Sequence, residues 1–329
     1  MSMALLHPEY GYYSCSNPLK AYQSDFITSP EISQIFGELV GVWIVHAILT
    51  NNLTYNKIYL IELGPGNGLL MQDILRVCKK YPEIYNKLCI ILVEKSKELK
   101  KAQLKNIELP VVHIKHINDI ELHNNNLNII LANEFLDALP IKQYIVRDHQ
   151  LYENIITTNN QGELVFSPQA QPSKLKLPLQ LQHKARDNAV YEYNIGMITY
   201  INNIKKIFKQ HNTLGIFIDY GYTKYNFGSS LQGMHKHKYH NILENIGNVD
   251  ITYHVNFQLL QQLLTDDNFY TSNITTQREF LLNLGIQQRM DMLIKSSPSK
   301  QAYIIKSTNY LINNMGELFK TLAFTNINK

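Results

Sequence analysis

The residues best placed to do chemistry are Glu62-Leu63-Gly64-Pro65-Gly66-Asn67-Gly68, between an apolar stretch, Ile58 to Leu63, and a helical pattern from Leu69 to Lys80. Strand, glycine turn and helix in that order make a nucleotide-type binding turn. Glycine takes positive φ and lets a ligand approach the main chain, and the helix start offers unpaired amides at a positive dipole end. Dinucleotide enzymes want GxGxxG, whose third glycine would fall where this chain has Leu69. The spacing here is GxGxG behind an acid, and a carboxylate suits the ammonium of a methionyl group better than a pyrophosphate. The turn therefore points to S-adenosylmethionine (SAM) as cofactor, with Glu62, Gly64, Gly66 and Gly68 as binding residues.

Other strand ends carry polar groups. Leu88 to Val93 ends at Glu94, where a carboxylate can accept both ribose hydroxyls; NAD enzymes use an acid there too, so Glu94 reads a ribose without choosing the cofactor. The connection from Gly68 exceeds the usual ~20 residues because Tyr81-Pro82-Glu83 lengthens it. Asn118 and Asp119 follow the strand Val111 to Ile114, as readers of the adenine amine or as an ordinary turn. Ile129 to Ala132 runs into Asn133-Glu134-Phe135-Leu136-Asp137. Polar residues just past a buried strand of a doubly wound sheet line its carboxyl-end crevice. Asn133 is accordingly a cofactor candidate, and Glu134 and Asp137 are candidates for holding the group to be methylated, unless both merely cap the next helix.

Glu192 and Asp219, at neighbouring sheet edges, are candidate partners of Glu134. His254 is a candidate proton acceptor or substrate contact, with a structural hydrogen bond as the alternative. Asp250 and His254 would share a face if helical, but the Ile-Thr-Tyr run between them permits a strand. His235, His237 and His240 invite a metal reading, but they lie on a polar stretch without nearby cysteines, so no metal is expected.

The elements that must position these groups are legible in outline. Ser29 can cap a helix with Pro30 in its first turn and Glu31 at its positive end, and Ile32, Ile35, Phe36, Leu39, Val40, Trp43 and Ala47 then repeat at helical spacing. Thr28, Ser29 and Glu31 also sit where N-terminal segments fold over SAM, which makes them cofactor candidates. Apolar strands alternating with helices, up to a fifth strand at Leu214 to Ile218, imply a parallel sheet covered on both faces. Lys142 to Phe166 reads as an inserted hairpin around Asn159-Asn160-Gln161-Gly162, and Tyr225 to Asn248 as a surface or substrate loop. A helix near Phe257 to Leu264, a strand near Phe269 to Ile274, helices between Gln277 and Ile294, and a last strand near Phe319 to Phe324 complete the pattern. The expected division is an N-terminal cap segment and helix over residues 1–52 and a methyltransferase domain over 53–329, with insertions at about 142–190 and 223–256.

Composition sets the limits. The 329 residues are 45% hydrophobic, enough for a large core, and the net charge of +4 is spread along the chain. No clustered basic face suggests nucleic acid. Three cysteines, Cys15, Cys78 and Cys89, form no CxxC pair and fit a reducing compartment. No apolar run reaches the roughly 20 residues of a membrane span. The start MSMALLHPEYGYY resembles neither a secretory signal nor an Arg-rich transit peptide, so the chain reads as cytoplasmic.

HPEYGYY (7–13), DFITSPEISQIFGELVGVW (25–43), IELGPGNG (61–68), NEFLDALP (133–140), IDYGY (218–222), DITYHVNF (250–257) and the weaker QREFLLNLGIQQR (277–289) occur in an order that resembles the MidA-like family of SAM-dependent methyltransferases. Mitochondrial members of that family are complex I assembly factors. The resemblance implies an α/β, class I SAM-dependent methyltransferase fold: a Rossmann-like seven-stranded sheet with its last strand antiparallel, an N-terminal helical segment and inserted β and loop elements. It also implies arginine methylation, giving symmetric dimethylarginine on a complex I-type protein subunit. Departures are Asn67 for a frequent Arg, Leu136 for Phe and Ser24 for Gly. A methyltransferase for a small molecule or another protein group, and a SAM-binding assembly chaperone with little catalysis, remain as alternatives. The oligomeric state is not legible.

Overall fold

The computed structural model describes residues 1–7, 9–14, 27–50, 54–236, 238–265 and 269–327. Cys15, Ser24, Asp25 and His237 lie outside the described residues. The central sheet is built from β1 (Ile58–Leu63), β2 (Leu88–Val93), β3 (Val111–Ile114), β4 (Leu127–Asn133), β5 (Thr213–Tyr222), β6 (Tyr270–Thr271) and β7 (Phe319–Thr325), in the order β3-β2-β1-β4-β5-β7-β6. β1 to β5 run parallel, and β7 is antiparallel to both its neighbours. Every residue of β1 is buried. That follows from parallel partners on both edges and packing on both faces, and it explains the unbroken apolar run.

On one face α1 (Gln34–Thr50) and α2 (Leu69–Cys78) pack through Phe36, Val40, Ile44 and Ile74 onto Leu60, Ile129 and Ile216. On the other, α4 (Ile195–Phe208) and α5 (Phe257–Thr265) bring Ile201, Ile204, Phe208 and Leu260 against Ile61, Ile130 and Phe217. Between β2 and β3 lies α3 (Lys97–Asn106), capped by Ser96, whose hydroxyl accepts the Leu99 amide.

Several details differ from the sequence expectation. The first helix breaks at Ser33 into a single turn, Ser29–Ile32, followed by α1, and the cap is Thr28 rather than Ser29. The reason is the capping box: the Thr28 amide donates to Glu31 Oε2 at 3.0 Å, three residues on. The inserted hairpin is larger than expected. Lys142–Arg147, Gln150–Thr158, Leu164–Pro168 and Val190–Tyr193 form a four-stranded antiparallel sheet, with a tight turn at Asp148-His149 that takes positive φ without glycine. The stretch expected as a loop holds Gln232–His235 and Lys238–His240; the first pairs with both the second and Asp250–Thr252, forming a small three-stranded antiparallel sheet. The strand expected near 269–274 is reduced to β6, with Thr275–Thr276 pairing separately on β7. A further helix, Gln301–Asn309, follows the two C-terminal ones.

Candidate functional site

A cavity of about 560 Å³ runs along the carboxyl ends of β3, β2, β1, β4 and β5, the crevice where open α/β sheets bind ligands. At its middle the glycine turn leaves β1. Gly64 holds φ +63°, and a Cβ there would lie 2.8 Å from Phe135 Cδ2, so only glycine fits. The turn is braced from behind by α3: Gln103 Nε2 donates to the Gly66 carbonyl at 2.7 Å, and Asn106 Nδ2 to the Asn67 carbonyl at 2.9 Å. Gln103 also reaches Glu94 Oε2 at 3.4 Å, while Glu94 Oε1 accepts the Ser96 amide at 2.7 Å. Glu94 lines the cavity, and burial raises its pKa.

Gly68 turns away from the cavity to precede α2 and pack on Gln103. Glu62 is 3% exposed on β1, and burial pushes its carboxyl up to about 8. Its Oε2 has no partner among the described residues. Glu62 is not among the residues that line the cavity; it lies on β1, two residues before Gly64, which does.

The β4–β5 end is acidic. Glu134 sits at φ +50°, an uncommon conformation for a residue with a side chain. Its Oε1 accepts from the Ser29 amide at 3.0 Å and from Asn133 Nδ2 at 3.1 Å, and burial raises the carboxyl to about 7. Asp137, 5% exposed, is raised to about 6 by burial, against the pull of a hydrogen bond from the Tyr220 hydroxyl. Asp250, 2% exposed, accepts the Tyr13 hydroxyl at 3.0 Å. Glu134, Asp137, Tyr220, Asp250 and Tyr13 line the cavity, whereas Asn133 and Ser29 do not. Its lysines among the described residues, Lys95 and Lys115, follow β2 and β3 at the opposite end. Burying an acid disfavours its charged form, and an incoming cation favours that form.

Other candidates are held elsewhere. Asp219 is 1% exposed and spends both oxygens on the main chain: Oδ2 accepts the amides of Phe135, Leu136 and Asp137 at 2.9–3.2 Å, and Oδ1 accepts that of Tyr220 at 2.9 Å. Burial and the neighbouring Asp137 and Glu134 raise its pKa well up, against the pull of those amides. It fixes the turn that carries Glu134 and Asp137 and has no oxygen left to grip a substrate. Glu192 sits in the inserted sheet, where Gln143 Nε2, the Ser230 amide and the Ser230 hydroxyl occupy it. His254 stacks edge-on against Tyr220 at 5.5 Å, and its amide bonds Ser230 Oγ. Neither Glu192 nor His254 lines the cavity.

Asn118 and Asp119 are exposed in a short 3-10 turn, where Asp119 accepts the His116 amide; Lys115 and His116 line the cavity instead. Thr28 lines the cavity. Ser29 bonds Glu134, and Glu31 Oε1 accepts from Asn67 Nδ2 at 3.0 Å, tying the N-terminal turn to the glycine turn. Sequence reasoning missed Tyr13 and Tyr220, although both lie inside motifs that it singled out, HPEYGYY and IDYGY.

Residues 39–275 match the family described as "Putative S-adenosyl-L-methionine-dependent methyltransferase". The chain belongs to that family. S-adenosyl-L-methionine is the cofactor of this methyltransferase. The mitochondrial protein arginine methyltransferase NDUFAF7 of Danio rerio is 32% identical, over 99% of this chain and 82% of its own length. The Caenorhabditis elegans homologue is 30% identical over 95% and 78%. In fold, the methyltransferase is similar to a Burkholderia thailandensis protein solved with S-adenosyl-homocysteine bound, with a TM-score of 0.81 at 21% identity over 100% of this chain and 87% of that one.

Proposed function

We propose that this methyltransferase acts on arginine in a protein, forming symmetric dimethylarginine on a complex I-type subunit in the cytoplasm. The observation that carries the reading is the acidic β4–β5 end, where half-buried Glu134 and buried Asp137 line the cavity whose lysines, Lys95 and Lys115, follow β2 and β3. The relatives named as arginine methyltransferases agree with it.

In this reading the glycine turn, Glu62, Glu94, Asn133 and Thr28 hold the cofactor, which supplies an electrophilic methyl group. Glu134 grips the planar guanidinium through Oε2, which has no hydrogen-bond partner among the described residues, and concentrates the charge on one nitrogen. Asp137, steadied by Tyr220, balances the remaining charge. The buried walls exclude water and hold the nucleophile in line. Arginine has a pKa above about 12, so its proton is lost after methyl transfer and no strong base is required.

The test is transfer of labelled methyl from SAM into cell lysate, with acid hydrolysis of the protein fraction. Label in symmetric dimethylarginine is expected, lost in Glu134→Gln while S-adenosyl-homocysteine still binds. Label confined to small molecules would overturn the arginine acceptor. Cofactor binding with no transfer at all would overturn catalysis.

A further inference from the structure

We infer that Gln103 is a positioning residue of the cofactor site: its buried amide, aimed by His113, holds the glycine turn and the Glu94 carboxylate in one fixed relation. This rests on the reading above that Glu94 holds the cofactor, through the ribose hydroxyls, and adds to it a residue that does not itself line the cavity.

Gln103 lies on α3 one turn after Leu99, on the face that α3 turns inward, and it is fully buried. Gly68 lets the helix come this close, since a Cβ there would lie 3.2 Å from Gln103 Cα. Burying a side-chain amide is costly unless its groups are paired, and here both ends are. Nε2 donates to the Gly66 carbonyl at 2.7 Å and reaches Glu94 Oε2 at 3.4 Å, while Oε1 faces His113 Nε2 at 2.8 Å. The partners come from three separate places: the glycine turn, the residue that follows β2, and β3.

An amide keeps its outline when its oxygen and nitrogen exchange places. The partners decide which way it points. The Gly66 carbonyl and an ionised Glu94 can only accept, so the nitrogen must face them. The oxygen is left to His113, whose Nε2 then carries a proton. Flipped, the amide would set its oxygen against two acceptors and its nitrogen against the imidazole N–H. His113 thus aims Gln103, and Gln103 keeps the Gly66 peptide and the Glu94 carboxylate at a set spacing. A ligand that spans both, an adenosyl group joined to an amino acid, meets them already placed.

S-adenosyl-homocysteine is titrated calorimetrically into the full chain, and adenosine is compared with 2′,3′-dideoxyadenosine by ligand-observed NMR. Gln103→Met keeps the length of the side chain and removes its polar groups. It is expected to weaken S-adenosyl-homocysteine about tenfold, the loss of one hydrogen bond to a charged group. The preference for adenosine over the dideoxy compound should fall about threefold. His113→Phe keeps a ring and removes the N–H; it should weaken S-adenosyl-homocysteine about threefold with the same loss of hydroxyl preference, and it carries the test if Gln103→Met fails to fold. An unchanged S-adenosyl-homocysteine affinity, or a hydroxyl preference kept in both variants, would overturn the inference; a lowered Tm alone would leave Gln103 a packing residue. Glu94→Gln separates the two readings. Hydroxyl preference lost there but kept in the other two variants would overturn only the role of Gln103. A preference absent from the wild type, or surviving in Glu94→Gln, would overturn the ribose reading of Glu94 and the inference with it.

Discussion

Binding of a cation at the β4–β5 end must expel protons. Glu134 titrates near 7 and Asp137 near 6 because burial disfavours their charged forms. A guanidinium favours those charged forms, so affinity rises with pH. At pH 8 Glu134 is about nine-tenths ionised and at pH 6 about one-tenth, which alone weakens acceptor binding about tenfold. Asp137 falls from nearly full to about half ionisation over the same interval and adds a factor of about two. Together they give about twentyfold between pH 8 and pH 6, or ~1.8 kcal/mol. Calorimetric titration of an arginine-containing peptide into the S-adenosyl-homocysteine complex, at both pH values and in buffers of different ionisation enthalpy, measures the affinity and the protons released. In Glu134→Gln the ratio should shrink to about two. An affinity that is flat, or that rises as pH falls, refutes the reasoning.

Asp219→Asn puts an N–H donor against amides that the carboxyl oxygens now accept, those of Tyr220 and of the turn that carries Glu134 and Asp137. We expect a stability loss of about 2 kcal/mol in denaturant titration and a fall in kcat, with S-adenosyl-homocysteine affinity nearly intact. Gly64→Ala strains a residue at φ +63° and pushes its Cβ onto Phe135. Calorimetry should show cofactor affinity reduced at least about tenfold, with a strain cost near 1 kcal/mol appearing as a small drop in Tm. Glu38, 4% exposed, bridges Arg76 on α2 and Arg289 of the C-terminal helix Ile286–Ser296. Glu38→Ala should lower stability by roughly 2 kcal/mol, read by thermal melting, because both guanidinium groups keep partial contact with solvent.

What was legible in the sequence follows the physics of each element. Parallel strands buried on both faces read as continuous apolar runs, so β1 and β2 are plain from their residues, and a glycine turn advertises itself by composition. Asp148-His149 is different: a tight turn made without glycine or proline leaves no mark, so one expected strand is two, and Val190–Tyr193 adds a fourth from beyond the expected hairpin. Glu134 and Asp137 could be placed at the crevice because they stand directly past a strand. The partnership of Tyr13 with Asp250 could not, because its two halves lie at opposite ends of the chain and meet only after the small sheet has docked. Asp219 was found in place but misread in role. A carboxylate and its acceptor position can be inferred from sequence, whereas the four amides that occupy it belong to the folded turn.

The single turn Ser29–Ile32 touches both halves of the cavity, through Glu31 to Asn67 on the glycine turn and through the Ser29 amide to Glu134. A joint shared in this way ties donor and acceptor into one thermodynamic cycle. Whatever factor the bound donor contributes to acceptor affinity, the bound acceptor must return to the donor in equal measure. The sign of that factor, read from S-adenosyl-homocysteine affinity with and without an arginine peptide, sets whether the departure of one product loosens or tightens the hold on the other.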